Sequence, residues 1–217
     1  LFVLPEAMAG VVFPALAAAL AADRARASDV VLAGGRVTAL AMTVPVAMIL
    51  LFAPEALLVW LGPVFARESA AVLRWLALGV FISAVSRVVT VVLYARGRPD
   101  VSTKLYILEV PLYCMTLWVF VKRFGIEGAA AAWTLRVAAE ACLLFAFGVR
   151  LVPSVRDAQL RVAALGCLIL GLLALLPFVG EPWLKAAIAF VLILGVPACL
   201  LRDLRPLRAV PMLGRPS

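Results

Sequence analysis

Long apolar stretches, separated by short charged or proline- and glycine-containing breaks, fill most of this chain of 217 residues. Hydrophobic residues make up 66% of the sequence and charged residues 15%, against roughly 45–50% and about 25% in an average soluble domain. A helix needs about 20 apolar residues to cross a bilayer. We therefore predict an all-α integral membrane protein with six full transmembrane helices and one partial helix. The predicted segments are 1–22 (the partial helix), 37–60, 71–95, 104–121, 128–149, 162–178 and 184–201.

The basic residues alternate between the two predicted sides of the membrane. One side carries Arg24, Arg26, Arg36, Arg96, Arg98, Lys104, Arg150, Arg156, Arg161, Arg202, Arg205, Arg208 and Arg215. The other side carries Arg67, Arg74, Lys122, Arg123 and Lys185. Because basic loops stay in the cytoplasm, we predict a cytoplasmic C-terminus and a basic cytoplasmic tail over 202–217. Topology explains the net charge of +8, so we predict no nucleic-acid partner.

The sequence lacks the residues that several classes of function require. The chain has no histidine, which removes the commonest general base and metal ligand. No phosphate-binding loop, metal motif or nucleophile–base pair is present. We therefore predict that the protein is not an enzyme and has no catalytic residue, metal or cofactor. Because Leu1 opens inside an apolar run, we also expect the chain to be the C-terminal part of a longer protein.

Two glycine sites interrupt the apolar pattern. Gly34-Gly35 predicts either a hinge or a break between an amphipathic cytoplasmic helix and the next span. Gly125 to Gly128, followed by Ala129 to Ala132, predicts a close approach between helices.

Charged side chains also lie inside the apolar segments. A charge at the centre of a membrane helix costs roughly 2.5–3.5 kcal/mol on insertion scales and marks a functional site by default. Steps of three and four residues place such side chains on one face of a helix. The polar stripes are Ser83, Arg87, Thr90 and Tyr94; Tyr106, Glu109, Tyr113 and Thr116; and Trp133, Arg136 and Glu140. A static network of buried ion pairs is the structural alternative, since Arg136 and Glu140 can pair within one helix.

Four sequence blocks over residues 1–150 resemble the C-terminal half of Wzx-like, O-antigen-type polysaccharide flippases of the multidrug/oligosaccharidyl-lipid/polysaccharide (MOP) exporter superfamily. They are Leu61-Gly62-Pro63-Val64-Phe65-Ala66, Leu93 to Asp100, Glu109-Val110-Pro111-Leu112-Tyr113 and Phe124 to Arg136. The resemblance implies a bundle of 12–14 helices in two lobes. Residues 1–150 would form the second lobe. Segments 162–178 and 184–201 carry no interior charge except Lys185 at one end, so we predict that 151–201 adds two peripheral transmembrane helices.

The resemblance also implies a cargo and a site. The protein would move an undecaprenyl-diphosphate-linked oligosaccharide across the bacterial inner membrane by alternating access, for surface polysaccharide biosynthesis. Arg87 and Arg136 would suit the diphosphate, Glu109 or Glu140 a coupling cation or a proton, and Tyr113 and Trp133 the sugars. Membrane lipid and the polysaccharide polymerase machinery would be its further partners.

Three alternatives stay open at the level of the sequence. A multidrug or cation antiporter of the same superfamily would favour an acidic, aromatic cavity. A membrane glycosyltransferase or polymerase would form product from a nucleotide sugar. A non-functional fragment or an assembly scaffold would need none of the polar residues.

Overall fold

The computed structural model describes residues 24–208, and every regular element in that range is helical. Two short 3-10 segments, Pro153–Val155 and Leu176–Phe178, adjoin the fourth helix. The all-α class predicted from the sequence is confirmed. The helices are α1 (Arg24–Leu61), α2 (Pro63–Ala95), α3 (Pro99–Leu151), α4 (Arg156–Leu175) and α5 (Pro182–Arg208).

Four helical stretches in the described range are long and apolar enough to cross a membrane. They are Ala27–Leu61, Pro63–Ala95, Pro99–Leu151 and Pro153–Phe178. Many large apolar side chains point outwards, and Val59, Trp60 and Phe178 are more than four-fifths exposed. Soluble proteins rarely expose large continuous apolar surfaces, whereas a bilayer solvates them. The chain is a membrane protein.

The element α3 consists of two helices that fold back on each other, and it is not one straight helix. At Gly125 the backbone turns out of the helical region, with φ 59° and ψ −137°. Glu109 and Arg136 are in contact across this point, although a straight helix would hold them about 40 Å apart. The chain therefore folds back on itself at Gly125. We call residues 99–124 the outgoing arm and residues 126–151 the return arm.

The two arms touch closely just beyond the turn. A Cβ atom on Gly128 would overlap the carbonyl oxygen of Phe120, so the arms can meet there only because residue 128 is glycine. The close helix approach predicted for this glycine- and alanine-rich run is confirmed at Gly128 and joins the two arms of α3.

The predicted number of spans is not confirmed. Segments 104–121 and 128–149 fall separately in the outgoing and return arms of α3, which meet at the non-helical Gly125, and the described range holds four long apolar helical stretches. The apolar part of α5, Pro182–Pro197, is shorter than the roughly 20 residues of a full span. The predicted partial helix 1–22 lies outside the described residues.

Helix α1 corrects one predicted boundary. The break between the predicted segments 1–22 and 37–60 is helical from Arg24 onwards, since Arg24-Ala25-Arg26-Ala27 is rich in helix formers and lacks proline. Gly34-Gly35 is neither a hinge nor a break, because the helix runs through it. A Cβ on Gly35 would overlap Val162 of α4, so this glycine allows α1 and α4 to approach.

The C-terminal helices differ in how they pack. Helix α4 buries one face against α1, α2 and α3, and a Cβ on its Gly166 would lie 2.9 Å from Val85 of α2. Within the described residues, α5 packs on α1 and on no other helix. It extends to Arg208, so the tail predicted over 202–217 begins as helix; residues 209–217 lie outside the described range.

Candidate functional site

Arg136 on the return arm lies between two carboxylates. Its Nη1 atom is 3.1 Å from Oε2 of Glu109 and 3.5 Å from Oε2 of Glu140. Glu140 is one turn further along the same helix, where the spacing of four residues favours a pair. Glu109 comes from the outgoing arm and reaches Arg136 only because α3 folds back. The site is therefore built jointly by helical periodicity and by the turn at Gly125.

These three side chains differ in exposure. The Glu109 side chain is 7% exposed, that of Glu140 12% and that of Arg136 25%. Arg136 thus has the most exposed side chain of the three. The Oε1 atom of Glu109 is buried and has no hydrogen-bond partner among the described residues, which leaves one acceptor of this carboxylate unsatisfied.

Two tyrosines and a second arginine complete the site. The ring centre of Tyr113 lies 5.7 Å from Cζ of Arg136, within the range of a cation–π contact. Tyr106 is close enough to Glu140 and to Arg87 of α2 to interact with both charges. Arg87 is half-buried. We name Glu109, Arg136 and Glu140 the charged cluster; Tyr106 lies between this cluster and Arg87 of α2.

Trp133 lies apart from these charges. Its ring packs into the apolar core and lies against Gly79 of α2, where a Cβ atom would overlap it. The next residue, Thr134, donates a hydrogen bond from Oγ1 to the carbonyl oxygen of Trp75, at 2.8 Å. Both contacts hold the return arm on α2, and they place Trp133 in a helix–helix interface.

Metal-binding geometry is not part of this site. Within residues 24–208, no three histidine, cysteine, aspartate or glutamate side chains come together as ligands for an ion. The four cysteines, Cys114, Cys142, Cys167 and Cys199, are exposed and unpaired by disulfides.

Comparison with known proteins adds one relative. A protein of Shigella flexneri named “Putative O-antigen transporter” is 28% identical to this chain over 95 residues. The chain is similar to an O-antigen-type transporter. The matched region covers 44% of this chain and 23% of the relative, so the match spans less than a quarter of that protein. No family model and no solved structure matches the chain.

The comparison confirms the resemblance to O-antigen-type exporters that the sequence blocks indicated. The structure brings together four of the predicted site residues, Glu109, Tyr113, Arg136 and Glu140, and it places Arg87 near Tyr106. Trp133 is the predicted site residue that packs elsewhere. Tyr106 belongs to one of the predicted polar stripes but was not among the predicted site residues. Its position beside Glu140 depends on the folding of the two arms against each other.

Gln159 of α4 is the buried polar residue that the sequence reasoning missed. It is fully buried, and neither atom of its amide has a hydrogen-bond partner in the described part of the chain. It fell in a loop predicted over 150–161, where polar residues need no explanation. A usable signal was present, since Val155, Gln159 and Val162 follow helical spacing.

Proposed function

We propose that this chain forms part of a transporter that moves an undecaprenyl-diphosphate-linked oligosaccharide across the bacterial inner membrane by alternating access. The single observation that carries the proposal is the position of Arg136. A cation that is one-quarter exposed, set among apolar helices and beside Tyr113, suits a diphosphate attached to a sugar. The relative named as an O-antigen transporter supports the same class of cargo.

The finer arrangement belongs to the same proposal. Residues 1–150 form the second lobe of a two-lobed exporter, with 151–201 as additional membrane helices and the C-terminus in the cytoplasm. Each arm of α3 is long enough, at about 1.5 Å per residue, to cross a hydrocarbon core of about 30 Å. If each arm is one membrane span, Arg96 and Arg150 lie on the same side of the membrane. This agrees with the alternation of basic residues in the sequence.

A second candidate function rests on a different observation. Two carboxylates face one guanidinium, and one oxygen of Glu109 has no hydrogen-bond partner within residues 24–208. This local excess of negative charge favours a cation, as in a multidrug or cation antiporter. The two candidates differ in cargo: the first predicts recognition of a lipid diphosphate, and the second predicts recognition of cationic drugs.

Export measurements test the first candidate. The gene, in its complete reading frame, is expressed in a bacterium that lacks its own exporter for the same polysaccharide, and surface polysaccharide is measured. Arg136→Ala should abolish export at a near-normal protein level, and the lipid-linked oligosaccharide should accumulate in the cytoplasmic leaflet. Arg123→Ala is the matched control, since Arg123 is exposed at the end of the outgoing arm and the charge change is identical.

Removing one partner of a buried ion pair can itself destabilise a protein by about 3–5 kcal/mol, so a second variant is needed. The triple replacement Glu109→Leu, Arg136→Met and Glu140→Leu removes all three charges together, and replacing a buried ionic group by apolar residues of similar volume is often neutral for stability. A folded triple variant that exports normally would show that the charges are structural. Transport of cationic drugs without export of polysaccharide would favour the antiporter.

A further inference from the structure

The outgoing arm of α3 is held to the bundle by few contacts. Its buried residues are Ser102, Leu105 and Glu109. Beyond Glu109, towards the turn at Gly125, every residue of this arm is at least partly exposed, and Met115 and Trp118 are more than three-fifths exposed. The return arm differs, because Trp133 and Thr134 fix it on α2.

One ion pair therefore bridges the arms in the middle of the hairpin. It joins Nη1 of Arg136 to Oε2 of Glu109 at 3.1 Å, and we call it the inter-arm ion pair. The other partner of Arg136, Glu140, lies on the same arm as the arginine. Glu140 also lies beside Tyr106 of the outgoing arm, so losing Glu140 would weaken the contact between the arms but keep the inter-arm ion pair, whereas losing Glu109 would remove that pair. The two carboxylates are therefore chemically alike, but only Glu109 forms an ion pair between the two arms.

Resting on the proposed function, we propose that Glu109 is a built-in competitor for the anionic group of the cargo at Arg136. An anion that binds the guanidinium displaces Glu109 and breaks the inter-arm ion pair. Arg136 keeps Glu140 as its neighbour, and the outgoing arm is released from the return arm. Glu109 is then a specificity-determining residue, since weakly bound anions cannot displace it and a diphosphate, with its higher charge, can.

The surrounding geometry is consistent with such a release. Gly125 gives the turn a backbone conformation that other residues rarely adopt, so the arms join through one defined point. Arg136 is the most exposed of the three charges, which lets an anion reach it before Glu109 leaves. Tyr113, on the outgoing arm, lies over the same guanidinium and would move together with Glu109.

Native cysteines allow the arm position to be measured. Cys114 lies on the outgoing arm and Cys167 on α4, and both are exposed. With the other cysteines of the protein replaced by serine, spin labels at these two positions report the distance from the outgoing arm to the bundle by pulsed electron paramagnetic resonance in lipid nanodiscs. We expect a narrow distribution for the parent protein and an additional population at a different distance for Glu109→Gln.

Glu140→Gln is the matched control, because it removes one carboxylate from the same guanidinium but keeps the inter-arm ion pair, and the glutamine oxygen can still accept a hydrogen bond from the Tyr106 hydroxyl. It should keep the narrow distribution. Adding undecaprenyl diphosphate to the parent protein should produce the additional population, and undecaprenol, which lacks the anion, should not. Glu109→Gln should also bind undecaprenyl diphosphate about tenfold more tightly, since a charged hydrogen-bond competitor has been removed.

Three results would overturn the inference: identical distributions in the parent protein and Glu109→Gln, equal broadening in Glu109→Gln and Glu140→Gln, or no response of the parent protein to undecaprenyl diphosphate. The distance measurement needs no transport. A protein that exports polysaccharide but keeps its arm fixed rejects this inference alone. A protein whose arm responds to the diphosphate but which exports nothing rejects the proposed function alone.

Discussion

The indole ring of Trp133 lies directly against Gly79 of α2. The ring occupies the space that a Cβ atom on residue 79 would need. The sequence grouped Trp133 with the polar site, but this contact places its ring in the interface between α2 and the return arm. The contact also fixes the return arm, which carries Arg136 and Glu140, to α2.

The Gly79 contact predicts a loss of stability on substitution. Gly79→Leu should lower the free energy of unfolding by about 1–3 kcal/mol, the usual cost of overpacking a filled core, as measured by thermal unfolding in detergent. Gly171→Leu on α4 is the control, since no atom lies within 4 Å of its Cβ position. Equal effects of the two substitutions would contradict a close contact at Gly79.

The hairpin turn predicts a second stability effect. Gly128→Ala should destabilise the protein by about 1–3 kcal/mol, because the overlapping atom is the Phe120 carbonyl oxygen and a backbone atom cannot rotate away. Gly195→Ala, at a position with open space around its Cβ, should be neutral or slightly stabilising because alanine favours helix. A normal melting temperature for Gly128→Ala would mean that the arms do not pack as described.

Helix α5 is attached to α1 by an ion pair whose strength can be measured. Nζ of Lys185 lies 2.6 Å from Oε1 of Glu55, and the glutamate side chain is 51% exposed. Exposed pairs contribute about 0.2–1 kcal/mol. A double-mutant cycle with Glu55→Gln and Lys185→Gln should give a coupling energy in this range that falls as salt is added. A coupling energy that is larger and independent of salt would show that the pair is shielded from water.

Gln159 predicts a stabilising substitution. A buried amide without a hydrogen-bond partner carries a desolvation cost of about 1–3 kcal/mol. Gln159→Met keeps a similar shape and removes the polar atoms, so the melting temperature should stay equal or rise. Gln159→Glu, of the same size, should lower it strongly because it buries a charge. A clear loss of stability in Gln159→Met would reveal a hydrogen-bond partner for the amide, such as an internal water molecule.

Helical spacing in the sequence predicted part of the candidate site. Helical spacing predicted that Arg136 and Glu140 share a face, and the structure pairs them at 3.5 Å. It also drew attention to Glu109 and Arg87 as charges in apolar surroundings. Spacing within a helix does not predict contacts between helices, so the 3.1 Å pair of Glu109 with Arg136 and the packing of Trp133 on Gly79 required the folded chain.

The sequence by itself determined the membrane class, the all-helical character and the identity of the polar residues, because hydrophobic content and helical periodicity are local properties. Only the tertiary structure decided that α1 runs unbroken through Gly34-Gly35, that Gln159 is buried, and which carboxylates meet Arg136. These outcomes depend on side chains far apart in sequence, brought together where the backbone at Gly125 reverses the direction of α3. The glycine is visible in the sequence, but its backbone angles are set by the packing of the two arms.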